Sequence, residues 1–98
     1  MEPKNLIILM SDEHTRSATG CYGHPFVSTP NIDKLAAGGV KFDAAYTPCP
    51  VCVPARASFA TGRWVHDIEC WDNATPFDGT QANWHAALRA RGHHTVSI

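Results

Sequence analysis

Apolar positions fall in short stretches along the chain, each closed by glycine, proline or a polar run. Residues 5–11 hold Leu6, Ile7, Ile8 and Leu9 in succession and stop at Ser11-Asp12-Glu13-His14. An unbroken apolar run of this length predicts a strand buried on both faces, as in a parallel sheet. Residues 15–28 carry Gly20, Gly23 and Pro25 and predict a loop. Thr29-Pro30 then opens a helix, with Thr29 as N-cap and Pro30 in the first turn, where a missing N–H costs nothing. Ile32, Leu35 and Ala36 share a face of that helix, and Gly38-Gly39 end it. Val40, Phe42, Ala44 and Tyr46 alternate with smaller or polar residues, which predicts a strand over 40–46. Thr47-Pro48-Cys49-Pro50 breaks it, and a second helix is predicted over 54–61, with Gly62 past its end. Residues 63–79, with Trp64, Trp71, Pro76 and Gly79, read as irregular. A third helix is predicted over 80–91: Trp84, Ala87 and Leu88 form its apolar stripe, Arg89 and Arg91 suit its negative end, and Gly92 stops it. Residues 93–98 predict a further strand.

The order strand, helix, strand, helix, helix, strand predicts an α/β layer fold with a mostly parallel sheet. Such a sheet needs helices on both faces, and three helices would leave apolar surface uncovered, so 1–98 reads as the opening segment of a larger domain. No internal repeat, low-complexity tract or interdomain linker interrupts it. With 44% hydrophobic and 17% charged residues, disorder and coiled coil are excluded. Eight Lys and Arg against nine Asp and Glu give a net charge of −1 without a basic run, so neither nucleic acid nor an anionic membrane is an expected partner. The longest apolar run, 6–10, is far short of the ~20 residues of a membrane span. Residues 1–4 are too short for a leader and lack a small-residue cleavage site, so the expected address is the cytoplasm. There the four cysteines, Cys21, Cys49, Cys52 and Cys70, are expected as thiols.

The richest stretch for chemistry is Cys52-Val53-Pro54-Ala55-Arg56, continuing to Thr61-Gly62-Arg63. It sets a thiol at the mouth of a helix, a proline that starts the helix and an arginine one turn in. Unpaired N–H groups at a helix start favour negative charge, and Arg56 adds to that field, so an anion at position 52 would be stabilised. The alternative is a buried cysteine in an ordinary loop-to-helix junction. Asp12 and Glu13 directly follow the first apolar run, at the carboxyl end of a predicted strand, where ligand sites of open α/β sheets lie. Their oxygens suit a hard divalent ion; the alternative is a solvated acidic turn. Cys49-Pro50-Val51-Cys52 is a C-x-x-C, but a zinc site needs two more ligands at familiar spacing and no second C-x-x-C exists. The six histidines form neither H-E-x-x-H nor H-x-H; His66 and His85 read as structural or surface residues.

Cys-x-Pro-x-Arg followed by Thr-Gly-Arg resembles the signature of the sulfatase family, whose fold is that of alkaline phosphatase. The resemblance extends through 5–13, Cys21-Tyr22-Gly23, Thr29-Pro30-Asn31-Ile32-Asp33, Trp71-Asp72-Asn73 and Leu88-Arg89-Ala90-Arg91-Gly92-His93. The Trp-Asp-Asn segment leans towards choline sulfatase-like and phosphonate monoester hydrolase-like members. The resemblance implies the N-terminal part of an α/β/α sandwich, with Cys52 oxidised to formylglycine by a formylglycine-generating enzyme. It further implies a hydrated formylglycine as the nucleophile, Arg56 holding it, and Asp12, Glu13 and the modified Cys52 as ligands of a divalent metal, Ca²⁺ ahead of Mn²⁺ or Mg²⁺. Asn73 matches a substrate-side contact. A small-molecule sulfate ester is the implied substrate, with phosphate or phosphonate esters as the alternative and a homo-oligomer as an option for the complete enzyme. A thiol-disulfide or zinc module on Cys49 and Cys52, and an inactive anion- or partner-binding fragment, remain the rival readings. The 98 residues alone are expected to be inactive, because two carboxylates cannot complete the roughly six oxygen ligands a hard divalent ion takes.

Overall fold

The computed structural model describes residues 5–75 and 77–98; residues 1–4, on which the reading of a missing leader rests, and Pro76 lie outside the described residues. The chain divides into two compact units, Met1–Asp43 and Ala44–Ile98.

In the first unit, two 3₁₀ turns, Arg16–Ala18 and Gly20–Tyr22, precede helix α1, Pro30–Gly38. Thr29 stands at the N-cap position as expected but makes no capping bond. Its hydroxyl instead accepts the Gly20 N–H at 2.9 Å and donates to Asp33 Oδ1 at 2.8 Å. The same Oδ1 accepts the Cys21 N–H at 2.7 Å, so Asp33 fastens the second 3₁₀ turn to the start of α1. A Cβ at position 20 would lie 2.6 Å from Asp33 Oδ2, so a larger residue there would have to displace the Asp33 carboxylate. Beyond α1 the chain returns to the same turns. Tyr22 donates to the Phe42 carbonyl at 2.6 Å, Arg16 to that of Asp43, and Arg16 and Lys41 both lie over the Tyr22 ring.

The second unit is built on α2, Cys52–Thr61, and α3, Trp84–Ala90. Pro54, Ala57 and Ser58 recur at i, i+3, i+4 and are the buried stripe of α2. Ala57 joins Ile68 and Cys70 in a small core, with Val53 and Phe77 packed against it. Gly62 ends α2 in the left-handed conformation, φ 69°, and returns its N–H to the Ser58 carbonyl at 2.7 Å. The Phe59 ring meets Trp84 of α3 edge-on, centroids 6.0 Å apart.

Two expectations about the helices are corrected. Helix α2 begins two residues earlier than predicted, so Cys52 is its first residue rather than part of the preceding loop. Proline is tolerated throughout a first turn, and Pro54 therefore marks the third helical position and not the start. Helix α3 begins at Trp84 and not at 80, because Asp78 Oδ1 takes the N–H and hydroxyl of Thr80 into a turn and Asn83 Oδ1 caps the helix on the Ala86 N–H at 2.9 Å. Its apolar stripe is half-buried at Trp84 and Leu88 and exposed at Ala87. Finally, the described residues contain no strand: 5–11, 40–46 and 93–98 are irregular, with Leu9 86% and Tyr46 92% exposed. A strand exists only through a neighbouring strand that takes its N–H and C=O groups, and no strand pairing occurs among the described residues.

Candidate active site

Helix α2 carries the core of the site. Cys52 and Arg56 are four residues apart on one face, with Cys52 half-buried and Arg56 exposed, while Pro54, Ala57 and Ser58 anchor the opposite side. Positions 52 and 56 are therefore neighbours on one face near the positive end of a packed helix. The hydrogen-bond donors at this helix start are more committed than the sequence suggests. Pro54 has no N–H, Ala55 donates to the Val51 carbonyl at 3.0 Å, and Val53 donates to Asn73 Oδ1 at 2.9 Å. Support for an anion at position 52 thus rests on the helix dipole and Arg56 more than on a row of open amides.

Asn73, expected on the substrate side, is exposed and reaches the start of α2 through that bond from Val53. Its amide oxygen is engaged, which leaves Nδ2 as the atom it could offer a substrate. Asp72 holds the segment in place: Oδ1 accepts the Ala74 N–H at 2.9 Å, the Thr75 N–H at 2.8 Å and the Thr75 hydroxyl at 2.9 Å. The hydroxyl of Thr75 foremost, then the backbone N–H groups, hold the Asp72 carboxyl below its ordinary value of 3.8. The folded state favours the ionised form, so this contribution is complete above that ordinary value and is lost as pH falls through the depressed folded value. Thr75→Val should move the Asp72 titration upward, towards the ordinary value, and carboxyl-carbon NMR of the complete protein reads it. An unchanged midpoint would show that the Thr75 hydroxyl does not set it.

Asp12 and Glu13 belong to the first unit and Cys52, Arg56 and Asn73 to the second. Both carboxylates are exposed in a turn, with Glu13 in the left-handed region at φ 52°, where few non-glycine residues sit. The next residue anchors that turn: His14 Nε2 lies 2.9 Å from the hydroxyl of Thr19, which is 3% exposed. Among the described residues no group of three or more His, Cys, Asp or Glu side chains gathers as a metal cage. The donors fit a hard divalent cation in kind, being carboxylate oxygens, and would form part of its coordination.

The four cysteines are thiols and none forms a disulfide. Cys70 is buried and its Sγ lies 3.5 Å from the Thr75 carbonyl, an ordinary core position. A polar recess in the second unit is lined by Asp67, Glu69, Cys70, Thr75 and Asp78 among others, and its lining includes none of the candidate site residues. Three carboxylates there would repel a sulfate or phosphate. Sequence reasoning missed Asp72, although Asp-x-x-Thr at 72–75 is the pattern of a side-chain-closed turn. It also missed the bond between His14 and Thr19, for which the sequence carries no signal.

Among known families, residues 4–98 match the one described as Sulfatase. An N-acetylglucosamine-6-O-sulfatase of Bacteroides thetaiotaomicron is 37% identical over 96% of this chain and 17% of its own length. Human arylsulfatase A is 46% identical over 62% of the chain and 12% of its own length. The multifunctional alkaline phosphatase superfamily protein PehA of Trinickia caryophylli is 35% identical across the whole chain and 20% of its own length. The chain thus spans a fifth or less of these curated relatives. No solved structure matches.

Proposed function

The chain belongs to the sulfatase family, whose relatives carry an α/β fold, and from that premise we propose that it is the N-terminal segment of a catalytic domain that hydrolyses sulfate esters. The observation that carries this reading is Cys52 as first residue of α2, with Arg56 one turn on and Asn73 bonded to the same helix start. The complete domain is then an α/β/α sandwich with a mostly parallel sheet, in which the exposed apolar segments 5–11, 40–46 and 93–98 find strand partners.

In this reading a formylglycine-generating enzyme oxidises Cys52 to formylglycine, whose hydrated form would supply an oxygen nucleophile for sulfur, and a divalent ion, when bound, would supply Lewis acidity. The chain's own residues do the rest. Helix α2 holds position 52 on a buried proline and alanine, so the nucleophile sits on a rigid element. Arg56 places a permanent positive charge one turn away, where it would hold the diol and offset the negative charge near it. Asp12 and Glu13 would supply carboxylate oxygens to the metal, Ca²⁺ first among the candidates. Asn73 offers its Nδ2 to the substrate.

A phosphate or phosphonate ester is the second reading, favoured by the likeness over the whole chain to a multifunctional alkaline phosphatase superfamily protein. Tetrahedral sulfuryl and phosphoryl groups share size and anionic oxygens, and the two differ in charge, so the ratio of rates separates them. The complete protein is expected to turn over an aryl sulfate with a kcat/KM above that for the matched aryl phosphate and aryl phosphonate. A Cys52-dependent preference for either phosphorus ester would replace the sulfatase reading with the second one.

A further inference from the structure

Helix α2 has no cap of its own. Its N-cap residue is Val51, whose side chain can accept nothing, and no side-chain bond is made there. The third helical residue, Pro54, has no N–H, and the fourth, Ala55, already closes the first helical bond to Val51. The Val53 N–H must therefore find an acceptor outside the helix, and it finds Asn73 Oδ1, twenty residues further along the chain. The location of this bond matters more than its number. A peptide unit is planar, so the N–H of Val53 and the carbonyl of Cys52 lie in one rigid plate whose edge is the Cys52 Cα. Holding that N–H restrains the ψ angle of Cys52 and with it the placement of the Cα–Cβ bond from which the side chain at position 52 projects. Asn73 is itself held, because the three bonds accepted by Asp72 Oδ1 close the backbone over 72–75 around it.

We infer that Asn73 is a positioning residue for the reacting side chain at position 52, acting through the Val53 N–H, with the turn closed by Asp72 as its support. This deepens the sulfatase reading and rests on it for the identity of the reacting group. It gives the two ends of the Asn73 amide separate tasks: the oxygen orients the nucleophile, and the nitrogen is what remains for a substrate. Misplacing a nucleophile by a fraction of an ångström to an ångström costs up to about 100-fold in rate, so the orienting task should show chiefly in kcat.

Two substitutions separate the tasks in the complete protein. Asn73→Ala removes both ends of the amide; Asn73→Asp keeps an acceptor for Val53 and removes the nitrogen. Hydrogen exchange of the peptide spanning 50–56 and steady-state kinetics on an aryl sulfate read the outcome. In Asn73→Ala the Val53 amide should exchange at least about tenfold faster, kcat should fall about 10- to 100-fold, and KM should rise as the Nδ2 contact to substrate is lost. Asn73→Asp should restore the slow exchange and most of kcat, while its added charge raises KM for an anionic ester. Unchanged exchange in Asn73→Ala, or a kcat in Asn73→Asp as low as in Asn73→Ala, overturns the inference. Asp72→Ala leaves the Asn73 amide in place and loosens its support; faster exchange over 50–56 is expected there too, and none would equally overturn it should Asn73→Ala fail to fold. The exchange readings need no turnover, so an inactive parent protein with a protected Val53 amide would refute the sulfatase reading alone.

Discussion

Replacing Cys52 by alanine in the complete protein is expected to abolish sulfate-ester turnover, a loss of about 10³-fold or more, because alanine can neither be oxidised nor bond to sulfur. The fold should survive. Cys52 is half-buried at the first position of α2, outside the core of Ala57, Ile68 and Cys70, and alanine is a strong helix former. Unfolding midpoints should therefore agree between parent and variant. Cys49 provides the control. It is also half-buried, three residues earlier, and its carbonyl accepts the Thr47 hydroxyl at 2.8 Å, a bond that needs no side chain at 49. Cys49→Ala should keep activity within about threefold, as surface and loop substitutions do. Equal damage from the two substitutions would favour a paired role for the C-x-x-C, and near-normal activity in Cys52→Ala would remove position 52 from the chemistry.

Asp12→Asn is expected to have the second-largest effect. The change keeps the shape of the side chain and removes the charge that draws a hard cation, so metal affinity and kcat should fall together, affinity by about 100-fold. Calorimetric titration of the metal-stripped complete protein reads the affinity directly. Excess metal should restore part of the rate, which separates a metal ligand from a residue needed only for folding. His14 and the buried Thr19 hold the turn independently of the Asp12 charge, so the backbone should stay where it is. Metal content unchanged in Asp12→Asn would take Asp12 out of the site.

The parts of the molecule that local chemistry decides were legible in the sequence. Helix α1 follows from Thr29-Pro30, an apolar face at 32, 35 and 36, and paired glycines, and it runs from Pro30 to Gly38. The placement of Cys52 at the start of a helix and of Arg56 one turn in was legible from Pro54 and Gly62, although α2 starts earlier than Pro54 suggests. What was not legible depends on partners distant in sequence. The bond from Val53 to Asn73 spans twenty residues, and no periodicity announces it. The Thr29 hydroxyl was expected to cap α1, and Gly20 and Asp33 compete for it successfully. The apolar runs at 5–11 and 40–46 have the composition of strands, yet a strand is defined by its neighbours, and the described residues provide none.

The central claim is that position 52 carries the reacting group as an oxidised cysteine. Peptide mass spectrometry of the purified, active complete protein tests it most directly, by reading the peptide that contains residue 52 beside those containing Cys21, Cys49 and Cys70. The account predicts an aldehyde in place of the thiol at position 52, trapped by a hydrazine reagent, with the other three cysteines alkylated as ordinary thiols. Full sulfatase activity in protein whose Cys52 is alkylated quantitatively as a thiol after unfolding would contradict it.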